Sequence, residues 1–369
     1  MSDMQTLELT REDTAREVKL VDTDVHPHAL ASHIEPRLSA RWREHFRRIG
    51  TRVSPAPAIY PRVRNAGFRV DAWPEGGFPG SDLGLLQRQL LDEHKVDYGI
   101  LTPLQNQVYG GESADFGAAL CHAVNEWLRE AWLDREPRLL SSILVAFEHS
   151  DVSVPEIEHY AADDRWVQVI LPGSAELPLG NRKYWPIYEA CAAAGLPLAI
   201  HTGGIEMHRG AGWPSYYLEE HVWNGNAMAA TILSLICEGT FERFPDLQVV
   251  CIESGLSWAA PLLWSLDAAS TMLRDDAAKL ERLPSETFRE HFWFTTQPIE
   301  EPDDPEDLVR SLKFLDMDDR IMFATDYPHW DFDAPGQALP RQLDKELRAK
   351  ILGSNAARLY GLPRDANRV

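Results

Sequence analysis

The chain has 369 residues, 44% of them hydrophobic, and a formal net charge of −21 at pH 7. Such a negative chain disfavours nucleic acids and anionic membranes as partners, because both require positive charge to displace counterions. No apolar run reaches 18 residues and no signal-peptide pattern is present, so we expect a soluble cytoplasmic protein. The four cysteines lie far apart without CxxC spacing, which predicts buried free thiols at positions 121, 191, 237 and 251.

Residues 1–17 are polar and unpatterned, which predicts a flexible N-terminal arm before one domain at 18–369. Within that domain, apolar runs alternate with amphipathic helical stretches such as 83–96 and 183–195. The runs predict eight strands, at about 18–25, 97–104, 139–147, 166–172, 196–202, 247–253, 291–297 and 319–325. Eight strands separated by helices predict an α/β fold, a (β/α)8 TIM-like barrel. The alternative is a doubly wound open sheet, but no GxGxxG follows its first strand.

Two long connections leave the carboxyl ends of strands and are expected to lie over the barrel mouth. One is an insertion after strand 1, at about 29–82, and the other is the loop after strand 5, which follows His201. Connections this long usually have a function. The insertion holds eight arginines between Arg37 and Arg64, which predict either a solvated, salt-bridged or subunit-contact face, or an arginine that binds a substrate carboxylate.

Residues of the types that bind metals follow four of the strands. They are the DVHPH segment with His26 and His28, then His201, Glu253 and Asp326. In a parallel barrel this edge carries the active site. Residues two apart in a strand share a face, so His26 and His28 predict a pair of ligands for one ion. An isolated HxH is also consistent with two imidazoles that bind no metal, but the residues after strands 5 and 8 favour a metal centre.

The acidic residues of this set also have predicted catalytic roles. Asp326 could bind the ion and accept a proton from metal-bound water, or it could only end its strand in a turn. Glu253 could act as a base or a ligand, or accept hydrogen bonds within its loop. Oxygen donors favour iron or manganese, whereas imidazole-rich sites suit zinc.

The loops expected at the mouth supply further candidates. His208, His221 and His329 are predicted to contact substrate or to hold a second metal, and His329 is also a candidate catalytic residue. Aromatic residues in the same loops predict apolar pocket walls, with Trp213, Tyr216 and Trp330 as the pocket residues.

The segments DVHPH, HTGG, ATDYPHWD and ILGSNAARLYGL give the chain a resemblance that covers nearly its whole body. It resembles the amidohydrolase-related metal-dependent hydrolases and decarboxylases typified by aminocarboxymuconate semialdehyde decarboxylase. The resemblance implies a distorted (β/α)8 barrel, a homo-oligomer, and a divalent metal, zinc before iron or manganese, held by His26, His28, His201 and Asp326. One departure is clear: the decarboxylases carry a histidine in an A-H-G-G segment after strand 6, where this chain has Glu253.

Three functions follow as hypotheses. The first is a mononuclear metal enzyme that uses metal-activated water to hydrolyse a small carboxylic acid, or that decarboxylates it without oxidation. The second is an oxygenase with two iron or manganese ions that hydroxylates a small molecule on the same barrel. The third is a non-catalytic partner of a paralogous chain.

Overall fold

All eight predicted strands are present. The structure is a computed structural model that describes residues 18–51, 64–105, 109–202, 216–273 and 280–363. The predicted arm at 1–17 and the segment 203–215 after the fifth strand lie outside the described residues. The strands are β1 Val21–Val25, β2 Tyr98–Leu101, β3 Leu139–Leu144, β4 Trp166–Pro172, β5 Leu198–His201, β6 Val249–Ile252, β7 Phe292–Thr295 and β8 Ile321–Met322.

The strands form one parallel sheet in sequence order, β1 to β8. The sheet closes on itself because the segments around β1 and β8 meet: Thr23 N–H donates to Phe323 O at 3.0 Å, and His26 N–H donates to Tyr327 O at 2.8 Å. The predicted (β/α)8 barrel is therefore confirmed. Its closure brings the carboxyl end of β1 beside the carboxyl end of β8.

Helices connect the strands on the outside of the barrel. The α-helices are α1 Ala31–Ile34, α2 Ala40–Ile49, α3 Leu83–Leu86, α4 Ala114–Leu128, α5 Ser150–Tyr160, α6 Trp185–Ala194, α7 Tyr217–Cys237, α8 Thr240–Arg243, α9 Ala259–Met272, α10 Pro284–His291, α11 Pro305–Leu315, α12 Lys345–Ala349 and α13 Asn355–Tyr360. Wider π-helical turns at Gln87–Asp92, Arg129–Leu133 and Lys350–Ser354 continue α3, α4 and α12. Short 3-10 turns lie at Glu35–Arg37, Arg64–Gly67, Val70–Ala72 and Arg182–Tyr184.

Helix α11 shows how the sequence sets these elements. The side chain of Asp304 accepts from the N–H of Glu306, and Pro305 occupies the first turn, where a backbone donor would have no partner. The apolar residues then recur at helical spacing and are buried against the barrel, at positions 308, 309, 312 and 315.

The core consists of strand residues that are buried on both faces of the sheet, as is usual for parallel strands. Cys121, Cys191 and Cys251 are buried and free, as predicted. The prediction for Cys237 is wrong: this thiol is free but exposed, because it is the last residue of α7. None of the helices in the described residues is long and apolar enough to cross a membrane.

The insertion after β1 docks against the loop after β8. Phe68 and His329 form an antiparallel bridge, and Trp330 N–H donates to Gly67 O at 3.0 Å. Gly80 has φ +78°, and a Cβ there would lie 2.2 Å from His26 O. Only glycine fits this close contact, which holds the insertion against the end of β1.

Of the eight arginines of the insertion, Arg52 and Arg62 lie outside the described residues, and contacts are described for several of those between Arg37 and Arg48. Arg37 pairs with Glu130 at 2.5 Å and Arg47 pairs with Glu35, while Arg43 donates to backbone carbonyls, among them Pro36 O at 3.0 Å. These contacts support the salt-bridged alternative for this part of the insertion.

Candidate metal centre

Four of the predicted site residues converge at the barrel mouth, each just after or at the end of its strand. His26 follows β1, His201 ends β5, Glu253 follows β6 and Asp326 lies after β8. His26 Nε2 lies 2.7 Å from Asp326 Oδ1, and His201 Nε2 lies 3.4 Å from Glu253 Oε2. Barrel closure brings together side chains that are far apart in sequence.

The two ring nitrogens of His26 both face hydrogen-bond acceptors. Nδ1 donates to Thr102 O at 2.7 Å, and Nε2 donates to Asp326 Oδ1. Burial opposes a charge on this ring, but the carboxylates of Asp24 and Asp326 outweigh it and raise the pKa of His26 to about 10. Without a metal, His26 is therefore an imidazolium. A cation would take the place of the Nε2 proton, while the bond to Thr102 would keep the ring oriented.

His201 is in the opposite state. Its Nδ1 donates to the backbone oxygen of Thr202, while its Nε2 has no hydrogen-bond partner among the described residues. Burial, followed by the charge of His26, lowers the pKa of His201 to about 3. The ring is therefore neutral, with a free lone pair at Nε2.

Asp24 completes this arrangement. Its buried Oδ2 lies 3.7 Å from His201 Nε2 and likewise has no hydrogen-bond partner within the described ranges. Two facing acceptor atoms with no donor between them are unfavourable in a protein interior. A cation would satisfy both, so the residues at this point fit a metal ion.

Two groups in the described residues have ligand atoms within 4.8 Å of one another, one of Asp24, His26 and His201, the other of His26, Asp326 and His329. The groups share His26. Because Thr102 O occupies its Nδ1, His26 has only Nε2 to offer, and one nitrogen binds one ion. The two groups therefore describe a single centre.

His28 lies outside both groups. The chain leaves β1 at Val25, and Pro27 follows, so the alternation that would place His28 beside His26 does not continue. His28 N–H instead donates to Gly80 O at 2.7 Å, and its ring packs 4.5 Å from Phe78. Burial and then the nearby His33 lower the pKa of His28 to about 4.

The pKa values of Asp326 and Glu253 shift in opposite directions. Burial alone would raise the pKa of Asp326, but His329 and His26 outweigh it and hold this pKa below its usual range. For Glu253, burial and then the carboxylates of Asp326 and Asp24 raise the pKa well above its usual range. Without a metal, Asp326 is therefore ionised, whereas the surroundings of Glu253 disfavour the charged form of its carboxyl group.

Both of these acidic residues have an unusual backbone conformation. Glu253 has φ 57° and Asp326 has φ 60°, in the left-handed region that residues with a Cβ seldom adopt. Such backbone strain is common where a loop must aim a functional side chain.

Known proteins share this sequence pattern and this fold. The amidohydrolase family model matches residues 21–362. The chain belongs to the amidohydrolase family. The resemblance found in the sequence is thereby confirmed.

Solved structures of similar fold include decarboxylases. An amidohydrolase from Mycobacterium avium subsp. paratuberculosis has TM-score 0.70 and 21% identity, covering 94% of this chain and 99% of its own. The 5-carboxyvanillate decarboxylase from Sphingomonas paucimobilis has TM-score 0.66 and 21% identity, covering 94% and 100%. A dihydroxybenzoic acid decarboxylase from Polaromonas sp. JS666, solved with bound manganese, has TM-score 0.66 and 16% identity, covering 96% and 100%.

In this amidohydrolase family member, the loop after β8 carries His329, another of the histidines predicted for the site. His329 Nδ1 lies 2.6 Å from Asp326 Oδ1, and its ring stacks on Phe68 at 4.9 Å. The insertion therefore packs directly on a side chain that contacts the centre.

The remaining predicted residues lie farther out or are not described. His221 Nε2 lies 3.3 Å from Asp331 Oδ2, and neither residue belongs to the two ligand groups of the described residues. Trp330 is half exposed and donates from Nε1 to Tyr217 OH at 3.1 Å, while Tyr216 is 66% exposed before α7. His208 and Trp213 lie outside the described residues.

Sequence reasoning did not single out Asp24, Asp331 or Gln297 as site residues. A signal existed for Asp24, a carboxylate on β1 two residues before His26, since carboxylates are common metal ligands. Asp331 belongs to the ATDYPHWD segment, and Gln297 follows β7 at the same edge of the barrel.

Proposed function

We propose that this chain is a metal-dependent enzyme that hydrolyses a small carboxylic acid or decarboxylates it without oxidation. Membership in the amidohydrolase family supports an enzyme of the hydrolase or carboxy-lyase kind. The decarboxylases of similar fold support an organic acid as the substrate.

One observation carries the proposal: the unpartnered Nε2 of His201 faces the unpartnered Oδ2 of Asp24 in the buried mouth. We infer that Asp24, His26, His201 and Asp326 hold one divalent ion. In this proposed set, Asp24 is the fourth ligand, the position for which the sequence suggested His28. His28 lies outside both groups, and its role as a ligand stays a prediction. Two imidazoles with carboxylate oxygens suit manganese or iron as well as zinc.

A bound divalent ion would act as a Lewis acid toward a substrate carboxylate or carbonyl and would lower the pKa of a bound water. The protein residues supply orientation and protons. Thr102 fixes the ring of His26, and Asp326 accepts hydrogen bonds from His26 and His329.

Both candidate reactions need a proton donor. Decarboxylation requires a proton for the carbon that loses its carboxyl group, and hydrolysis requires one for the leaving group. Burial and then the carboxylates of Asp326 and Asp24 raise the pKa of Glu253 in the metal-free protein, and its Oε2 accepts from Thr202 Oγ1 at 3.1 Å. We therefore assign the proton transfer to Glu253, which stands where the resemblance implies a histidine in the decarboxylases.

The described residues favour one ion, because the two ligand groups share one nitrogen of His26. The dinuclear oxygenase stays a prediction, and its second ion would need donors such as His208, outside the described residues. The non-catalytic partner and the homo-oligomer also stay predictions.

The first experiment measures bound metals by mass spectrometry in protein purified without added metal, and then product formation from a panel of carboxylic acids. We expect about one divalent ion per chain and either carbon dioxide release or a hydrolysis product. Asp326→Ala should abolish turnover, whereas Asp134→Ala, which removes an outer salt bridge to Arg165, should retain it.

Full activity of the Asp326→Ala variant would contradict the proposal. Two ions per chain with oxygen-dependent turnover would favour the dinuclear alternative instead. Both variants should first show the circular dichroism and melting behaviour of a folded barrel.

A further inference from the structure

Gln297 has an unmatched hydrogen-bonding group in the barrel mouth. It lies two residues beyond β7 and is 1% exposed. Its Nε2 donates to Asp331 Oδ2 at 2.8 Å and to Asp331 O at 3.2 Å, whereas its Oε1 has no hydrogen-bond partner in the part of the chain that the structure describes. Most buried polar side-chain atoms have partners, so this exception requires an explanation.

The orientation of this amide is fixed. Flipping it would place Oε1 against the carboxylate and the backbone carbonyl of Asp331, and both of these groups accept hydrogen bonds. The backbone carbonyl keeps this preference whatever the protonation state of the Asp331 side chain. Oε1 must therefore point away from Asp331, and it needs a donor.

The position of Gln297 connects it with the metal centre. Thr295, two residues earlier, accepts from Glu253 N–H at 3.2 Å, and Asp331 belongs to the loop that carries Asp326. On its other side, Asp331 Oδ2 lies 3.3 Å from His221 Nε2. Gln297 thus lies between the loops that supply Glu253 and Asp326.

Another buried glutamine shows the usual arrangement. Gln168, on β4, is fully buried, and both of its amide atoms are paired: Nε2 donates to Ser142 Oγ at 2.9 Å, and Oε1 accepts from Tyr360 OH at 2.8 Å. The barrel therefore does provide partners for a buried glutamine that has a structural role.

We propose that Gln297 Oε1 accepts a hydrogen bond from a hydroxyl or amino group of the substrate. Gln297, Asp331 and His221 then form a recognition site beside the metal centre, which we call the donor site. This inference rests on the proposed function, because it assigns the substrate carboxylate to the cation and the donor group to Gln297. A carboxylate at the donor site would face an acceptor oxygen with the Asp331 carboxylate behind it. The expected substrate is therefore a small acid that also carries a hydroxyl or an amine.

The test uses manganese-loaded protein and three sets of probes: benzoate, the three hydroxybenzoates, and the matching methoxybenzoates, with dissociation constants from calorimetry. A methoxy group cannot donate. We expect at least one hydroxybenzoate to bind about 10-fold or more tightly than its methoxy partner. The methoxybenzoate leaves the buried Gln297 Oε1 without a donor, which weakens its binding.

Variants test whether the Gln297 amide causes the preference for hydroxybenzoates. Gln297→Met, of similar length but without an acceptor oxygen, should bring the hydroxy and methoxy probes to within about twofold of each other. Metal content and benzoate affinity should stay unchanged. Gln89→Met is the matched control, because both amide atoms of Gln89 have protein partners, Asp71 O at 2.8 Å and Tyr327 OH at 2.8 Å. It should keep the wild-type preference.

The outcomes separate this inference from the proposed function. One ion per chain and benzoate binding, with no hydroxyl preference in the wild type or with a preference that survives Gln297→Met, overturns the donor site alone. Protein that binds no ion overturns both, whereas protein that binds one ion per chain but none of these benzoates overturns the donor site alone. If Gln297→Met does not fold, Gln297→Asn, whose amide is one methylene shorter, should show the same loss of preference.

Discussion

Two polar clusters in this molecule contain similar side chains but are completed differently. The first, the helix network, consists of His122, Glu126, Arg129, Glu156 and Tyr160 on α4, α5 and the turn between α4 and β3. Glu126 pairs with Arg129 at 2.6 Å and accepts from Tyr160 OH at 2.8 Å, and His122 Nδ1 lies 3.2 Å from Glu156 Oε2. Its partners are all protein groups, so its role is structural.

The metal centre lacks such completion. Three carboxylates, of Asp24, Glu253 and Asp326, converge on one protonated and one neutral histidine, and two buried acceptor atoms have no donor among the residues that the structure describes. The comparison shows that buried ionisable groups stabilise a fold when their charges are matched within the chain. Where they are left unmatched, they indicate a ligand of the missing charge.

The largest expected effect comes from removing a ligand of the centre. His201→Ala should lower bound metal to near zero and turnover by about 1,000-fold, since losing about 4 kcal/mol of charge stabilisation corresponds to three powers of ten. His122→Ala, the same change in the helix network, should leave both quantities at wild-type values. Metal analysis and steady-state rates of the two variants check this, and equal losses in both would remove the distinction between the clusters.

Replacing Glu253 is expected to have an intermediate effect, which raises the stability of the metal-free protein and lowers the activity of the metal-loaded protein. The folded state raises its pKa above the usual 4.5, so folding takes up a proton and the stability of the metal-free protein falls as pH rises above about 4.5. Glu253→Gln removes this loss. At pH 7 the metal-free variant should be more stable than wild type, by about 1.4 kcal/mol for each pH unit over which folding retains the proton.

Urea denaturation of chelator-treated protein at pH 5 and pH 7 measures this difference, which should be smaller at pH 5. The metal-loaded variant should lose about 10- to 100-fold in turnover, because it has no acidic proton to transfer. A variant that is less stable than wild type at both pH values would show that Glu253 is a structural group.

The smallest effect is expected in the helix network. Hydrogen bonds from Arg129 and then Tyr160 lower the pKa of Glu126 to about 2, so its contribution to stability is present above the usual 4.5 and is lost as pH falls toward 2. Glu126→Gln should cost about 0.5–1 kcal/mol at pH 7, a modest value because Arg129 is partly exposed. Denaturation at pH 7 and pH 3 should show this cost shrinking in acid, with activity unchanged.

Much of this arrangement could be predicted from the sequence. Buried parallel strands are continuous apolar runs, so segments such as LPLAI and LQVVCI located β5 and β6 and placed His201 and Glu253 at the active edge. Closure of eight such strands then predicted that Asp326 lies near His26.

The features of the site that could not be predicted from the sequence depend on where a strand ends and on how loops dock. An HxH pattern favoured His26 with His28, but the chain leaves β1 at Val25, and His28 lies outside the two ligand groups of the described residues, one of which contains Asp24. The ligand role of His28 stays a prediction. Gln297 gave no signal, because its significance lies in an oxygen left without a donor after the loop after β8 has docked. No local pattern encodes such long-range placement.

The closure of the barrel also constrains when the ion can bind during synthesis. His26 and Asp326, whose side chains meet at 2.7 Å, are separated by 300 positions along the chain. A nascent chain on the ribosome therefore has the first of the proposed metal ligands long before the last one is made. We expect the ion to be captured only after β8 has closed the sheet, late in folding, so its uptake would report the completed barrel rather than guide its assembly.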